Sequence, residues 1–154
     1  MTKMLFGTLA LMPLLASAAT PSFDCSKAHS ATEQLVCQDA GLAALDNELA
    51  ALYPKALSQL SAEQQKTEKA MQRGWIKGRN ECWKESDSRQ CVEESYQLRI
   101  TELQIKGGQL MVPSPVDYQC DGELRLSTYF YNEAKRPAAV WLQSGIRDDA
   151  FAAA

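Results

Sequence analysis

Apolar residues recur at helical spacing along the segment 22–108, and polar residues fill the positions between them. One stripe runs in steps of three and four residues and comprises Leu42, Leu45, Leu49, Leu52 and Ala56. A later stripe with the same steps comprises Val92, Tyr96, Ile100 and Leu103. Because such spacing places residues on one face of a helix, both stripes predict amphipathic helices. Pro54 is expected to kink or end the first of these helices near Tyr53, since proline has no amide hydrogen to donate.

Capping patterns divide the same segment into separate helices. Ser30 is followed by Glu33, and Ser61 by Gln64, at the spacing in which each side chain can bond the other residue's backbone amide. The glycine pair 107–108 is typical of a helix end. We therefore predict a mainly α fold, a long helical hairpin or three-helix bundle preceded by a short N-terminal helix.

The pattern changes beyond the proline-containing segment 109–116, which we interpret as a linker. Apolar and polar residues alternate through 123–132, and the preceding Asp121-Gly122 pair suits the positive φ of a tight hairpin turn. A third strand is expected at 138–142. With no closing strands after it, the segment 117–154 is expected to form a short, incomplete antiparallel β segment.

The N-terminus is typical of a secretory signal peptide covering residues 1–19. Lys3 precedes an apolar run at 5–15, and Ala16-Ser17-Ala18 provides a small-residue cleavage site. The run is too short for a membrane span, which needs about 20 residues. We expect a mature protein that starts near Thr20, is periplasmic or secreted, and has no membrane span.

Cysteines in an oxidising compartment usually pair, and this chain has five: Cys25, Cys37, Cys82, Cys91 and Cys120. The first four allow three connectivities. Local pairing of Cys25 with Cys37 and of Cys82 with Cys91 is favoured, because the second bond would clamp the turn between the last two helices. Cys120 is then left unpaired. Cys25 does not follow a small-residue lipobox, so a soluble product is expected.

Residues suited to catalysis are few. His29 is the only histidine and lies in a polar loop beside the capping box, so there is no obvious Ser-His-Asp or Cys-His arrangement, and no glycine-rich phosphate loop is present. The cysteine spacings do not match metal-binding pairs. We therefore expect no enzyme, no metal and no cofactor. The formal net charge of −3 gives no general attraction for nucleic acid or anionic lipid and suits a basic partner.

Trp75, Arg79 and Trp83 follow one another at intervals of four residues on one predicted helix. They are compatible with a core stripe that has the arginine at its edge. They are also compatible with a partner-binding face, because tryptophan and arginine are enriched where interfaces derive most of their binding energy. The sequence leaves both interpretations open.

The cysteine-containing helical segment resembles the LprI-like N-terminal domain family, a lysozyme-inhibitor-associated family of exported bacterial proteins. The similarity starts with Phe23-Asp24-Cys25-Ser26-Lys27-Ala28 and runs to about residue 105. Further matching positions are Glu33, Cys37, Leu42, Leu45-Asp46, Leu49, Tyr53, Trp75, Arg79-Asn80, Cys82, Cys91, Tyr96, Arg99-Ile100 and Leu103. The resemblance implies a helical, cysteine-bridged domain and lysozyme inhibition.

Residues 118–145 resemble the start of an MliC-type domain, a β-barrel inhibitor of c-type lysozyme. The similarity rests on Tyr118-Gln119-Cys120-Asp121-Gly122, Leu124, Leu126, Asn132, Ala139-Val140 and Leu142. In that family, a Ser-Ala-Ser-Gly-Ala loop that enters the lysozyme cleft and a later cysteine come next. Neither follows in this sequence. We therefore expect a truncated MliC-like segment with Cys120 unpaired, and no inhibitory residue is carried over.

Two functions are consistent with these observations. The leading hypothesis is an envelope or periplasmic binding protein that inhibits lysozyme by non-catalytic occlusion of its cleft. The alternative is a structural module that docks another envelope component without inhibiting lysozyme. A wall-degrading enzyme would need paired carboxylates across a cleft, which sequence spacing does not indicate.

Overall fold

A computed structural model describes residues 19–119, 125–143 and 150–152 of the chain, and its described part is mainly helical. The helices are α1 (Ala31–Gln38), α2 (Ala40–Ser58), α3 (Ala62–Asn80) and α4 (Ser88–Lys106). Short 3-10 turns cover Cys25–Lys27 and Glu81–Lys84. The strands are β1 (Val116–Gln119), β2 (Arg125–Tyr131), β3 (Ala138–Gln143) and β4 (Ala150–Ala152). The predicted mainly α fold with a short antiparallel sheet is confirmed.

The predicted capping residues begin the helices as expected. At the start of α1, the Ser30 hydroxyl accepts the Glu33 amide at 3.1 Å, and the Glu33 carboxylate accepts the Ser30 amide at 3.0 Å. Ser61 and Gln64 form the same reciprocal pair at the start of α3. Asp39 caps α2 by accepting two amides of its first turn. These bonds satisfy donors that a helix leaves unpaired at its N-terminus.

The expectation that α2 ends near Pro54 is wrong, because the helix continues without interruption to Ser58. Leu52 and Ala56, on either side of the proline, are both buried in the core. Pro54 itself is exposed, as is Ala50, whose carbonyl loses its helical donor and can be hydrated instead. Packing on the buried face therefore outweighs the local cost of the proline.

The core lies mainly between α2 and α4, where the two apolar stripes meet. The α4 stripe is fully buried at all its predicted positions, and Leu45 of the α2 stripe is partly buried. The buried cluster comprises Val36, Leu42, Leu49, Leu52, Ala56, Cys82, Val92, Tyr96, Ile100 and Leu103. Full burial of an aliphatic side chain stabilises by about 1.5–3 kcal/mol, so this cluster is the main source of stability.

Two disulfides close short loops at one end of the bundle. Cys25 is bonded to Cys37 with a sequence separation of 12, and Cys82 to Cys91 with a separation of 9. The first joins a 3-10 turn to α1, and the second joins the turn after α3 to the first turns of α4. A disulfide that closes a loop of this length stabilises the folded protein by about 2–3 kcal/mol, because it lowers the entropy of the unfolded chain.

The C-terminal strands form an antiparallel sheet in the order β1-β2-β3-β4. Pairing joins Val116 to Thr128 across β1 and β2, and Tyr131 to Ala138 across β2 and β3. The expectation that no strand follows the third is wrong, since β4 pairs with β3. β4 has only three residues, two of them alanine, and therefore lacks the alternation that predicts a strand.

Three predicted features lie outside the described residues. They are the predicted signal peptide up to residue 18, Cys120, and the Asp121-Gly122 turn.

The turn between β2 and β3 rests on the helices. The Thr101 hydroxyl of α4 donates to the Arg136 carbonyl at 3.3 Å and accepts the Arg136 amide at 3.2 Å. Lys135 forms an ion pair with Glu48 of α2, and Arg136 with Glu94 of α4. This turn therefore brings Arg136, which is distant in sequence, beside the first half of α4.

Candidate binding surface and buried ionic contacts

The three residues of the candidate partner-binding face do not lie together. Trp75 is partly buried, and its indole N–H donates to the Ser95 carbonyl at 3.2 Å. Arg79 is buried in the core rather than at its edge. Trp83 follows the end of α3 at Asn80, in the 3-10 turn, and is 58% exposed. Partner binding through Trp75, Arg79 and Trp83 therefore stays a prediction, with only Trp83 placed on the surface.

Arg79 takes part in a buried polar network that links α2, α3, α4 and the N-terminal segment at Ser22. Its guanidinium lies 5.3 Å from the ring centroids of both Trp75 and Tyr96. It donates to the Tyr96 hydroxyl at 2.5 Å, and that hydroxyl donates to Asp46 at 2.8 Å. Asp46 also accepts the amide and hydroxyl of Ser22. Burial raises the pKa of Tyr96 far above its ordinary value, which keeps its hydroxyl proton available to donate.

A second buried network centres on Glu68 and ties α3 to α4. Arg99 donates to one Glu68 oxygen at 2.5 Å, and Lys106 to the other at 2.7 Å. Arg99 also donates to Gln72 at 2.9 Å and to Glu102 at 2.8 Å. The Glu68 and Arg99 side chains are 3% and 1% exposed. Both charges are therefore compensated by partners within the fold.

Glu68 should make stability depend on pH. Its burial alone would raise its pKa, but the hydrogen bond from Lys106 and the charge of Arg99 outweigh burial and hold its pKa below the ordinary 4.5. A lowered folded-state pKa gives stability that is present above the unfolded pKa and is lost as pH falls through the folded pKa.

We expect the free energy of unfolding from urea titrations to decrease below about pH 4.5, after little change between about pH 7 and 5. Glu68→Gln cannot titrate at this position, so its free energy of unfolding should fall less in acid than that of wild type. The difference in free energy of unfolding between the two proteins should therefore narrow as pH falls. A gap that stays constant down to about pH 3 would show that Glu68 does not contribute to this dependence.

The part of the chain that the structure describes shows no cluster of side chains suited to holding a metal ion. No group of three or more histidine, cysteine or acidic side chains there could hold a metal ion. His29 is exposed, and its backbone amide donates to the Glu33 carboxylate. The buried Asp46 and Glu68 carboxylates are both paired with arginine. That the protein uses no metal or cofactor and has no enzymatic activity stays a prediction.

An open groove of about 510 Å³ lies along the first half of α4, and we call it the α4 groove. Its lining includes the acidic residues Glu85, Asp87 and Glu94, together with Leu98 and Arg136. Arg136 approaches Glu94 at 3.0 Å across the groove. Hydrogen bonds from Gln90, the larger effect, and from Arg136 lower the pKa of Glu94, so its carboxyl group is ionised at neutral pH. The groove therefore presents more negative than positive charge.

Sequence patterns did not indicate the α4 groove. Glu85, Asp87 and Glu94 are close together in the sequence and could have been recognised as an acidic cluster. Arg136 carried no comparable signal, because it reaches the groove only through the docking of the β2–β3 turn on α4.

No helix in the described part of the chain has an apolar stretch long enough to cross a membrane.

The fold and its bonds define a class of small, mainly helical domains that are linked by local disulfides and contain buried ion pairs.

Within this class, the chain belongs to a recognised family. The sequence model of the family described as lysozyme inhibitor LprI matches residues 25–106, and the chain is a member of that family. The match extends from the first bonded cysteine to the end of α4. The predicted LprI-like resemblance is thus confirmed, whereas the MliC-like resemblance of residues 118–145 stays a prediction.

Relatives in mycobacteria support the same assignment. Proteins named lipoprotein LprI from Mycobacterium bovis and from two strains of Mycobacterium tuberculosis are each 34% identical to the chain over 125 residues. The alignment covers 79% of this chain and 61% of each relative, so the chain spans less than two thirds of their length. No solved structure matches the chain.

Proposed function

We propose that this protein is exported and inhibits lysozyme by binding to it and occluding its cleft, without catalysis. The observation that carries the proposal is the match of residues 25–106 to the lysozyme inhibitor LprI family, which coincides with the disulfide-bridged helical domain. Export is supported by the two disulfides, which form and persist in oxidising compartments, and by the signal-like residues 1–19.

A non-catalytic mechanism is supported by the two buried carboxylates, because both are occupied by hydrogen bonds within the fold. Asp46 and Glu68 each accept hydrogen bonds from cations or hydroxyls of the core. A glycosidase-type mechanism would require two carboxylates that face each other across a cleft and remain available to substrate. These two carboxylates are instead enclosed among their partners, so they stabilise the fold.

We place the lysozyme contact at the α4 groove. Lysozymes are commonly basic, and complementary charges increase the association rate and select the correct partner. Glu85 lies on the lining of the groove, is exposed, and forms no ion pair with another described residue. It is therefore available to meet a lysine or arginine of the partner.

The contact can be tested by measuring lysozyme affinity after charge reversal. We expect Glu85→Lys to weaken binding about tenfold or more, because it places a like charge against a basic surface. Glu63→Lys is the matched control, since Glu63 is also an exposed glutamate and lies in the first turn of α3, a helix about 28 Å long whose other end leads to Glu85. It should change the affinity by less than about threefold, since exposed charges at such distances are screened.

Surface plasmon resonance with immobilised c-type lysozyme distinguishes the outcomes. Equal losses in the two variants would contradict contact at the groove and point to net charge alone. An absence of affinity in the folded wild-type protein would contradict lysozyme binding and favour the alternative, a module that docks another envelope component.

A further inference from the structure

The outer face of α3 carries a line of four cations, which we call the α3 ridge: Lys66, Lys69, Arg73 and Lys77. The residues follow at steps of three, four and four, which keeps them on one side of the helix over about 16 Å. All are exposed. The opposite side of α3 packs inward through Glu68, so the ridge points away from the bundle.

The ridge cations form no ion pairs with described residues, unlike most other cations of the bundle. None of the four forms an ion pair with any residue in the described ranges. Among described residues of the other helices and 3-10 turns, only Lys55 is likewise without an ion pair, and it lies in the last turn of α2, where the helix dipole favours a cation. Lys66 and Lys69 lie in the first half of α3, where the dipole gives no such benefit.

The arrangement also works against the helix itself. Lys66 with Lys69, Lys69 with Arg73, and Arg73 with Lys77 are like-charge neighbours one helical turn apart. Such pairs destabilise a helix, whereas opposite charges at the same spacing stabilise it. Of the four cations, only Lys77 lies in the last turn of α3, where the helix dipole favours it. Helix stability does not account for the charges of the other three, which points to an external anionic partner.

We propose that the α3 ridge binds an anionic phospholipid surface. A ridge on the outer side of a helix cannot enclose a small anion, but it can lie along a flat surface whose mobile headgroups supply a negative charge to each cation. The net charge of −3 opposes general attraction to such a surface, so binding requires the ridge to face the lipid. This attachment is peripheral and goes beyond the proposed lysozyme contact, since the ridge and the α4 groove share no residue.

Co-sedimentation of the full chain with vesicles tests this proposal. At low ionic strength, the protein should bind equimolar phosphatidylcholine–phosphatidylglycerol vesicles, should not bind pure phosphatidylcholine vesicles, and should be released by added salt. Each neutralised ridge cation should lower the partition coefficient about fivefold, so K69Q/R73Q should lower it about 25-fold. The variant should keep its helical circular dichroism, because the substitutions relieve repulsion.

The matched control is K84Q/K135Q, which removes the same charge from two cations that are ion-paired elsewhere on the surface. It should leave vesicle binding within about twofold of wild type, because those cations lie off the ridge. Three results would each overturn the proposal: no binding of wild type to anionic vesicles, equal losses in both double variants, or binding to soluble polyglutamate as tight as to vesicles. The last would identify an acidic polymer or protein as the partner. Lysozyme affinity should be unchanged in K69Q/R73Q, so this proposal and the proposed function can fail separately.

Discussion

Replacing Arg99 with methionine is expected to destabilise the protein by about 3–5 kcal/mol, as measured by urea unfolding at neutral pH. The guanidinium is enclosed between α3 and α4 and donates to Glu68, Gln72 and Glu102. Its removal leaves the buried Glu68 carboxylate with Lys106 as its remaining cation, and leaves the Gln72 oxygen without this donor. Removing one partner of a buried charge costs far more than the intact pair contributes.

The control for this prediction is the same substitution at Arg89, on the same helix. Arg89 forms ion pairs with Asp39 and Glu93, but its side chain is 49% exposed. Exposed ion pairs contribute about 0–1 kcal/mol, so Arg89→Met should have a small effect. If the two variants lose equal stability, burial of the Glu68–Arg99 pair is not what holds α3 to α4.

Replacing Asp46 with alanine should have the second large effect, a loss of about 3 kcal/mol. The carboxylate accepts hydrogen bonds from the Tyr96 hydroxyl and from the amide and hydroxyl of Ser22, and it lies 3.9 Å from Arg79. Without it, the buried guanidinium keeps aromatic neighbours and neutral acceptors but no carboxylate. The N-terminal arm at Ser22 also loses its attachment to α2.

Two measurements separate this account from a general effect of mutation in α2. Glu48→Ala removes another carboxylate of the same helix, in a partly exposed pair with Lys135, and should cost below about 1 kcal/mol by thermal unfolding. Amide hydrogen exchange at Ser22 should accelerate in Asp46→Ala and stay at the wild-type rate in Glu48→Ala. Unchanged exchange in Asp46→Ala would contradict the role of Asp46 in holding the arm.

Features determined by nearby residues could be predicted from the sequence. The capping boxes at Ser30 and Ser61 and the apolar stripes of α2 and α4 are local patterns, and the structure contains all of them. Pro54 was misleading because its local cost is small beside the burial of Leu52 and Ala56 in the tertiary structure. β4 was missed because only pairing with β3, not its own composition, makes it a strand.

The buried face of α3 was harder to predict because it is polar. Glu68, Gln72, Trp75 and Arg79 recur at helical steps and pack inward, yet only the tryptophan carries an apolar signal. A method that looks for hydrophobic stripes places charged residues in solvent. Burial of Glu68 and Arg79 requires Arg99 and Tyr96 from α4, and their approach is fixed by the fold rather than by sequence spacing.

The surfaces show the same limitation. The spacing of the α3 ridge is visible in the sequence, but its lack of ion pairs with described residues becomes evident only when neighbouring elements are in place. The α4 groove depends on a turn more than 30 residues away, because that turn brings Arg136 to its lining beside Glu94. Sequence patterns thus give the helices that carry these surfaces, and tertiary packing decides which charges remain available to a partner.

The most direct test of lysozyme inhibition is the rate at which c-type lysozyme clears a suspension of bacterial cell walls as this protein is titrated in. An inhibitor that occludes the cleft should lower the initial rate in proportion to the protein added until inhibition saturates. The protein alone should release no soluble wall fragments. An unchanged rate at molar excess, with the protein's helical circular dichroism intact, would contradict lysozyme inhibition by this member of the family.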